Sequence, residues 1–272
     1  MKKFISVIFV LLLVGMVRAE GVEHTNVLKV KFGWDYQLDT YLSPLAYHGM
    51  QVGIGNEWWQ PFRQDSRLGQ TGRLAHWCHV GRLDVRGFKQ TSTARNNVIK
   101  GLGVTGGWGA FYRWEWYDGR LQVLTGPYIE AELNVREISS NVNKPYSFDI
   151  STEVMAMGSV SWSFYGKKTS YRVHYEVRTN VMGIDYLPDY WQSYYEVTEG
   201  VPGQVRCSGH WNHHTVRQEV SLDMQFPHST WRVGAEHVYV GYGTKDLHMI
   251  RNEVSIVVGC IWNYRIEANK RL

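Results

Sequence analysis

Between positions 183 and 214 the sequence gathers carboxylates, phenols and imidazoles, the side chains best suited to moving protons or holding ions. Asp185, Asp189 and His210 are the set with hydrolytic chemistry in it, because an imidazole oriented by a carboxylate can activate water. His210, His213 and His214 raise metal ligation instead. His213 and His214 are sequence neighbours, however, and neighbours on an extended chain point to opposite sides, so no metal or other cofactor is expected. Tyr190, Tyr194, Tyr195 and Glu196 fit an aromatic loop folded over an opening. The expectation is a protein without catalytic residues, with Asp185, Asp189 and His210 as the rim candidates if it is a hydrolase after all.

Other chemical signatures are weaker. Lipid-modifying barrel enzymes carry His-x-Ser on one strand face, and none of the 11 histidines is followed two positions later by serine. The glycines from Gly101 to Gly109 alternate inside an extended ribbon, so they serve packing and not phosphate binding. Cys78, Cys207 and Cys260 are an odd, widely spaced set that gives neither a disulfide framework nor a zinc motif.

The elements that must position these residues are strands. In "YRVHYEVR", residues 171 to 178, Tyr171, Val173, Tyr175 and Val177 share one face and Arg172, His174, Glu176 and Arg178 the other. The same period of two runs through "VIKGLGVTGGWGAFYRWEW", "LQVLTGPYIEAELNV", "YSFDISTEVMAMGSVSWSF", "VRQEVSLDMQF", "WRVGAEHVYV" and "NEVSIVVGCIWNYRI". With earlier ribbons near 27 to 36, 47 to 60 and 72 to 87, about ten strands are expected and no helical domain. "YDGR", "YGKKTS" and "FPHST" are tight turns, whereas 136 to 146 and 183 to 210 are long connections, an asymmetry typical of outer-membrane barrels.

Both a soluble barrel and a membrane barrel alternate, and the composition of the polar face separates them. Water-facing strands usually carry many lysines, whereas here Lys29 and Lys31 stand among Gly, Ser, Arg and carboxylates. Arg113, Glu115, Arg172, His174, Glu176, Arg178, Arg217, Glu219, Arg232 and Glu236 form a mixed-sign set fit to pair across a narrow lumen. Tyr112, Trp114, Trp116, Tyr171, Trp231, Trp262 and Tyr264 cluster near strand ends, as interfacial anchors do. The predicted fold is therefore an all-β, single antiparallel up-and-down transmembrane β-barrel of about ten strands. A soluble periplasmic binding barrel is the alternative, with the apolar faces turned inward.

Residues 1 to 19, with Lys2 and Lys3 before an apolar run that ends in "VRA", read as a secretory signal peptide, leaving 20 to 272 as the barrel domain. Removing Lys2, Lys3 and Arg18 leaves 26 basic against 25 acidic residues, which argues against a nucleic-acid partner. Outer-membrane lipid and the barrel-insertion machinery are the expected partners, with any extracellular ligand unidentified.

Four stretches, "TYLSPLAYHG", "REISSNVNKPYS", "LPDYWQSYYEV" and "SGHWNHHTVRQEVSLDM", resemble a family of exported Bacteroidales proteins described as outer-membrane β-barrels of unknown function. The resemblance spans most of the mature chain and implies a barrel in the outer membrane of a Gram-negative bacterium. It implies no activity, so it assigns no catalytic residue.

Overall fold

A computed structural model of the chain describes residues 23–40, 43–61, 76–93, 97–138, 146–166, 169–187, 204–243 and 248–265. The strands are β1 (Glu23–Asp39), β2 (Ala46–Pro61), β3 (Trp77–Ser92), β4 (Val98–Trp116), β5 (Leu121–Ile138), β6 (Tyr146–Tyr165), β7 (Ser170–Leu187), β8 (Gln204–Gly209), β9 (His213–Gln225), β10 (Thr230–Gly243) and β11 (His248–Arg265). Apart from β8 and β9, which do not pair with each other, each pairs antiparallel with its neighbours in sequence, and β1 pairs with β11 to close the wall. β8 and β9 both pair with β7, so they share one place. The result is a closed, ten-place, up-and-down barrel in which the eighth place is split.

One end carries the tight connections Tyr117–Arg120, 166–169 and 226–229. Tyr117, Asp118 and Gly119 all have left-handed φ, at 56°, 54° and 78°. Glycine adopts that region without strain and aspartate tolerates it, which is how "YDGR" reverses the chain so sharply. At the other end β7 and β8 reach further than the sequence suggested: 183–187 and 204–209 are strand, because the extended pattern persists there. Only 188–203 of the expected long loop separates them, and Asp189, Tyr190, Tyr194, Tyr195 and Glu196 lie outside the described residues.

Polarity across the wall is the reverse of a soluble barrel. Phe32, Trp34, Val52, Ile129, Val220, Val254 and Ile256 are exposed, while Lys29, Glu57, Arg82, Glu130, Glu176, Arg217 and Arg251 are buried. Among the described residues, two clusters of apolar side chains also enter the lumen. Tyr47, Phe88, Ile99 and Ile138 pack near the end of the wall opposite the tight turns. Val80, Phe111, Leu124, Tyr128, Met155 and Met157 line one side of the other half. Room for this filling comes from β4, where a Cβ on Gly101 would collide with the Phe88 ring and one on Gly107 with Tyr128.

Candidate functional site

The lumen is organised by rows of like charge. Glu176, Glu219 and Glu236 are lateral neighbours on β7, β9 and β10, and Arg178 faces Arg217 directly. Adjacent like charges destabilise a sheet, so each row needs counter-ions beyond its lateral neighbours. Lys29 donates to Glu57 at 2.8 Å and to Glu219 at 2.7 Å. Lys31 bridges Asp84 and Glu236, both at 2.7 Å. Arg82 grips Glu176 with both terminal nitrogens and Glu57 with Nε. Arg178 and Arg217 converge on Glu130, each at 2.6 Å, and Arg251 reaches Glu132 from the far side. Of these contacts, Lys29 with Glu219, Arg82 with Glu176 and Arg251 with Glu132 cross the bore from wall to wall.

Two histidine-centred clusters stand out from this lattice, one toward each end. Near the tight turns a cavity of about 520 Å³ opens, bordered by Trp59, Arg113, Ser161, Arg172, His174 and Asp223 among others. On its wall Ser161 and His174 are direct partners across β6 and β7, with Oγ 2.8 Å from Nδ1. The ring's Nε2 lies 3.7 Å from Glu176, which Arg82 and Arg178 already hold. Arg232 is bonded to Asp223 at 2.6 Å and 2.9 Å, Arg172 donates to Ser163, and Arg113 pairs with Glu115 where both are part-exposed at the mouth.

The second cluster, toward the opposite end, is sealed. His213, 3% exposed, sets Nδ1 2.8 Å from Asp185 Oδ2 and Nε2 3.1 Å from Glu153 Oε1. Thr215 Oγ1 donates to Glu153 Oε1 at 3.1 Å and lies 3.2 Å from His213 Nε2. A cavity of about 10 Å³ adjoins the group. Glu153, Asp185 and His213 are close enough together to hold a metal ion.

Two local irregularities assemble this cluster. On β7 the inward residues are His174, Glu176, Arg178 and Asn180, a pattern that strict alternation would continue by turning Asp185 outward. A bulge intervenes: Met155 pairs with Asn180 and Val154 with Met182, so Val181 has no partner on β6 and the phase flips. Bulges re-aim side chains in this way, and Asp185 ends 1% exposed in the lumen. On the neighbouring place the chain breaks at the turn between Gly209 and His213, which Asn212 pins by accepting from Gly209 N at 2.9 Å. Asn180 then fills the gap in the ladder, donating to His213 O at 2.7 Å and accepting from Thr215 N at 2.9 Å.

The sequence candidates are therefore distributed as follows. Asp185 meets His213, not His210, whose ring is exposed and packs at 90° against His214, 4.6 Å away. His213 points in and His214 stays half-buried on the other side, as adjacent strand residues must. His174, Glu176, Arg178, Arg217, Glu219, Arg232 and Glu236 line the lumen, with Arg172, Arg113 and Glu115 at its mouth. Glu57, Arg82, Glu132, Glu153, Thr215 and Arg251 were not singled out by sequence. Period-two parity alone places several of them on the polar face, but nothing in it names their partners.

Residues 19–262 match the family described as "Protein of unknown function (DUF3316)". A comparison with curated proteins gives no match. Among solved structures the chain is similar to the outer membrane protease OmpT from Escherichia coli, at 6% identity and TM-score 0.48 over 89% of this chain and 97% of that one. It is similar to the transport unit of the autotransporter AIDA-I from Escherichia coli at 7% identity and TM-score 0.45, covering 87% and 89%. Ail, the attachment invasion locus protein of Yersinia pestis, follows at 9% identity and TM-score 0.28, covering 90% and 100%.

Proposed function

The chain belongs to the DUF3316 family, and we propose that it works as an integral outer-membrane β-barrel, closed to diffusion, that recognises a ligand at its mouths and does not transform it. The observation that carries this reading is the reversed polarity of the wall, with charged residues buried and Trp34, Val52, Val254 and Ile256 exposed. A soluble monomer rarely leaves an apolar patch beyond a few hundred Å² uncovered. Strands such as β6, with 20 residues, exceed the ~9–11 needed to span a tilted path through lipid. The end with tight turns faces the periplasm in this reading, and segment 1–19 serves for export. The Gram-negative, Bacteroidales-like source rests on the quoted stretches alone.

A barrel of ten places has a bore that side chains can fill, and the cross-lumen ion pairs fill it here. Recognition therefore falls to the outer connections and to the 520 Å³ chamber, a volume within the range of small-molecule sites. Fractionation with carbonate and urea washes tests the location. Retention in the outer membrane with heat-modifiable gel mobility is the expected result, and release into the soluble periplasm would turn the wall inside out. Planar bilayers should show no steady conductance. Ile256→Arg, mid-strand on the exposed face, should cost about 2–4 kcal/mol in vesicle refolding.

A hydrolase is the second reading, favoured by the Ser161 hydroxyl held 2.8 Å from His174 Nδ1 beside the chamber. Labelling of Ser161 by a fluorophosphonate in the folded barrel, abolished in His174→Ala, would establish it. A folded barrel that takes no label removes it.

A further inference from the structure

We propose that His213, Glu153 and Thr215, with Asp185 behind the ring, form a binding site for a divalent cation of the zinc class. Three donors face one point: His213 Nε2, Glu153 Oε1 and Thr215 Oγ1, separated by 3.1, 3.1 and 3.2 Å. Tetrahedral zinc with bonds of ~2.0–2.1 Å has ligand-to-ligand edges of about 3.3 Å, so the triangle is close to one face of such a polyhedron. Asp185 accepts from Nδ1 at 2.8 Å, the carboxylate–histidine arrangement that fixes the tautomer and leaves Nε2 free to ligate. All four residues are at most 4% exposed.

Charge accounting makes the same demand. Glu153 sits directly opposite Glu130 in the sheet, and Glu130 takes Arg178 and Arg217. No lysine or arginine among the described residues reaches Glu153 within ion-pair distance, and Asp185 has only Arg206, at 3.8 Å, besides His213. Glu153 Oε2 and Asp185 Oδ1 are buried without a hydrogen-bond partner. An unpaired buried carboxylate is costly, and a cation at this point, a proton on the ring or a metal ion in its place, relieves that cost. The adjoining 10 Å³ cavity, which Asp149 and Ser151 also border, has about the volume of one water or ion. The β7 bulge, the β8 to β9 break and the Asn180 splint all act to bring these side chains together.

Zn²⁺ is the first probe, with Co²⁺ as its coloured substitute, both added during refolding of the full barrel in detergent after chelator treatment. The expected result is one ion per barrel, with the intense visible absorption of four-coordinate Co²⁺. Glu153→Gln and His213→Ala should each weaken binding at least tenfold, and Asp185→Asn about 10- to 100-fold as an orienting residue. His214→Ala, which dismantles the exposed His210 and His214 pair, should change nothing. Heat-modifiable mobility reports folding of each variant, and the near-isosteric Glu153→Gln and Thr215→Val decide the matter if His213→Ala does not fold. A folded wild-type barrel that takes up no ion at micromolar concentration overturns the proposal. So does binding that survives Glu153→Gln and disappears in His214→Ala.

Discussion

At the chamber end, His174 touches Ser161 through Nδ1 and faces Glu176 through Nε2. At the sealed end, His213 touches Asp185 through Nδ1 and meets Glu153 and Thr215 through Nε2. The two rings have nearly the same kinds of neighbour, a hydroxyl and carboxylates, and both are about 95% buried or more. What differs is where the counter-charge comes from. Glu176 is gripped by Arg82 and Arg178, so His174 is a bystander to a completed ion pair. Among the described residues no guanidinium reaches Glu153, so the counter-charge on offer there is the His213 ring or an ion that the ring helps to hold. A carboxylate–imidazole contact is thus scaffold or receptor according to the arginines around it, and the contact distance alone does not distinguish the two.

Matched substitutions break this comparison if it is false. Glu176→Gln leaves Arg82 and Arg178 short of a buried anion and should cost about 3–5 kcal/mol, read as a lower urea midpoint for the barrel in vesicles. Asn180→Ala strands His213 O and Thr215 N, and should cost about 1–3 kcal/mol in the same measurement. Ser161→Ala removes one hydrogen bond beside a cavity that water can enter, for about 0.5–1.5 kcal/mol. Glu153→Gln in metal-free protein should cost less than ~1 kcal/mol, because the amide still accepts from Thr215 while an unmatched charge disappears. Equal losses for Glu176→Gln and Glu153→Gln would place both residues in one structural lattice.

The barrel was legible because period-two alternation repeats in every ribbon, and the scarcity of lysine marked which face is enclosed. The tight turns at 117–120, 166–169 and 226–229 lie where Gly, Asp, Ser and Pro clusters put them. The sealed cluster was half legible. Asp185 and His213 both stand out in the sequence, but matching Asp185 with His210 rests on placing 183 to 210 in one long connection, whereas Asp185 lies on β7 past the bulge at Val181 and turns inward to His213. Glu153 was visible as a polar-face residue and nothing more. Which residues meet across a bore depends on strand stagger, and stagger is set by pairing registers that no single ribbon encodes.

The cross-lumen ion pairs also bear on the order of assembly. Lys29 and Glu219 are 190 positions apart, and Arg82 and Glu176 are 94. A partly formed sheet offers neither its partner, and in the membrane barrel proposed above its charged face would meet acyl chains bare, at several kcal/mol per group. The seam between β1 and β11 should therefore zip before or during entry into lipid. Once zipped, it is held from within by these long-range contacts, so its unfolding should be cooperative and slow.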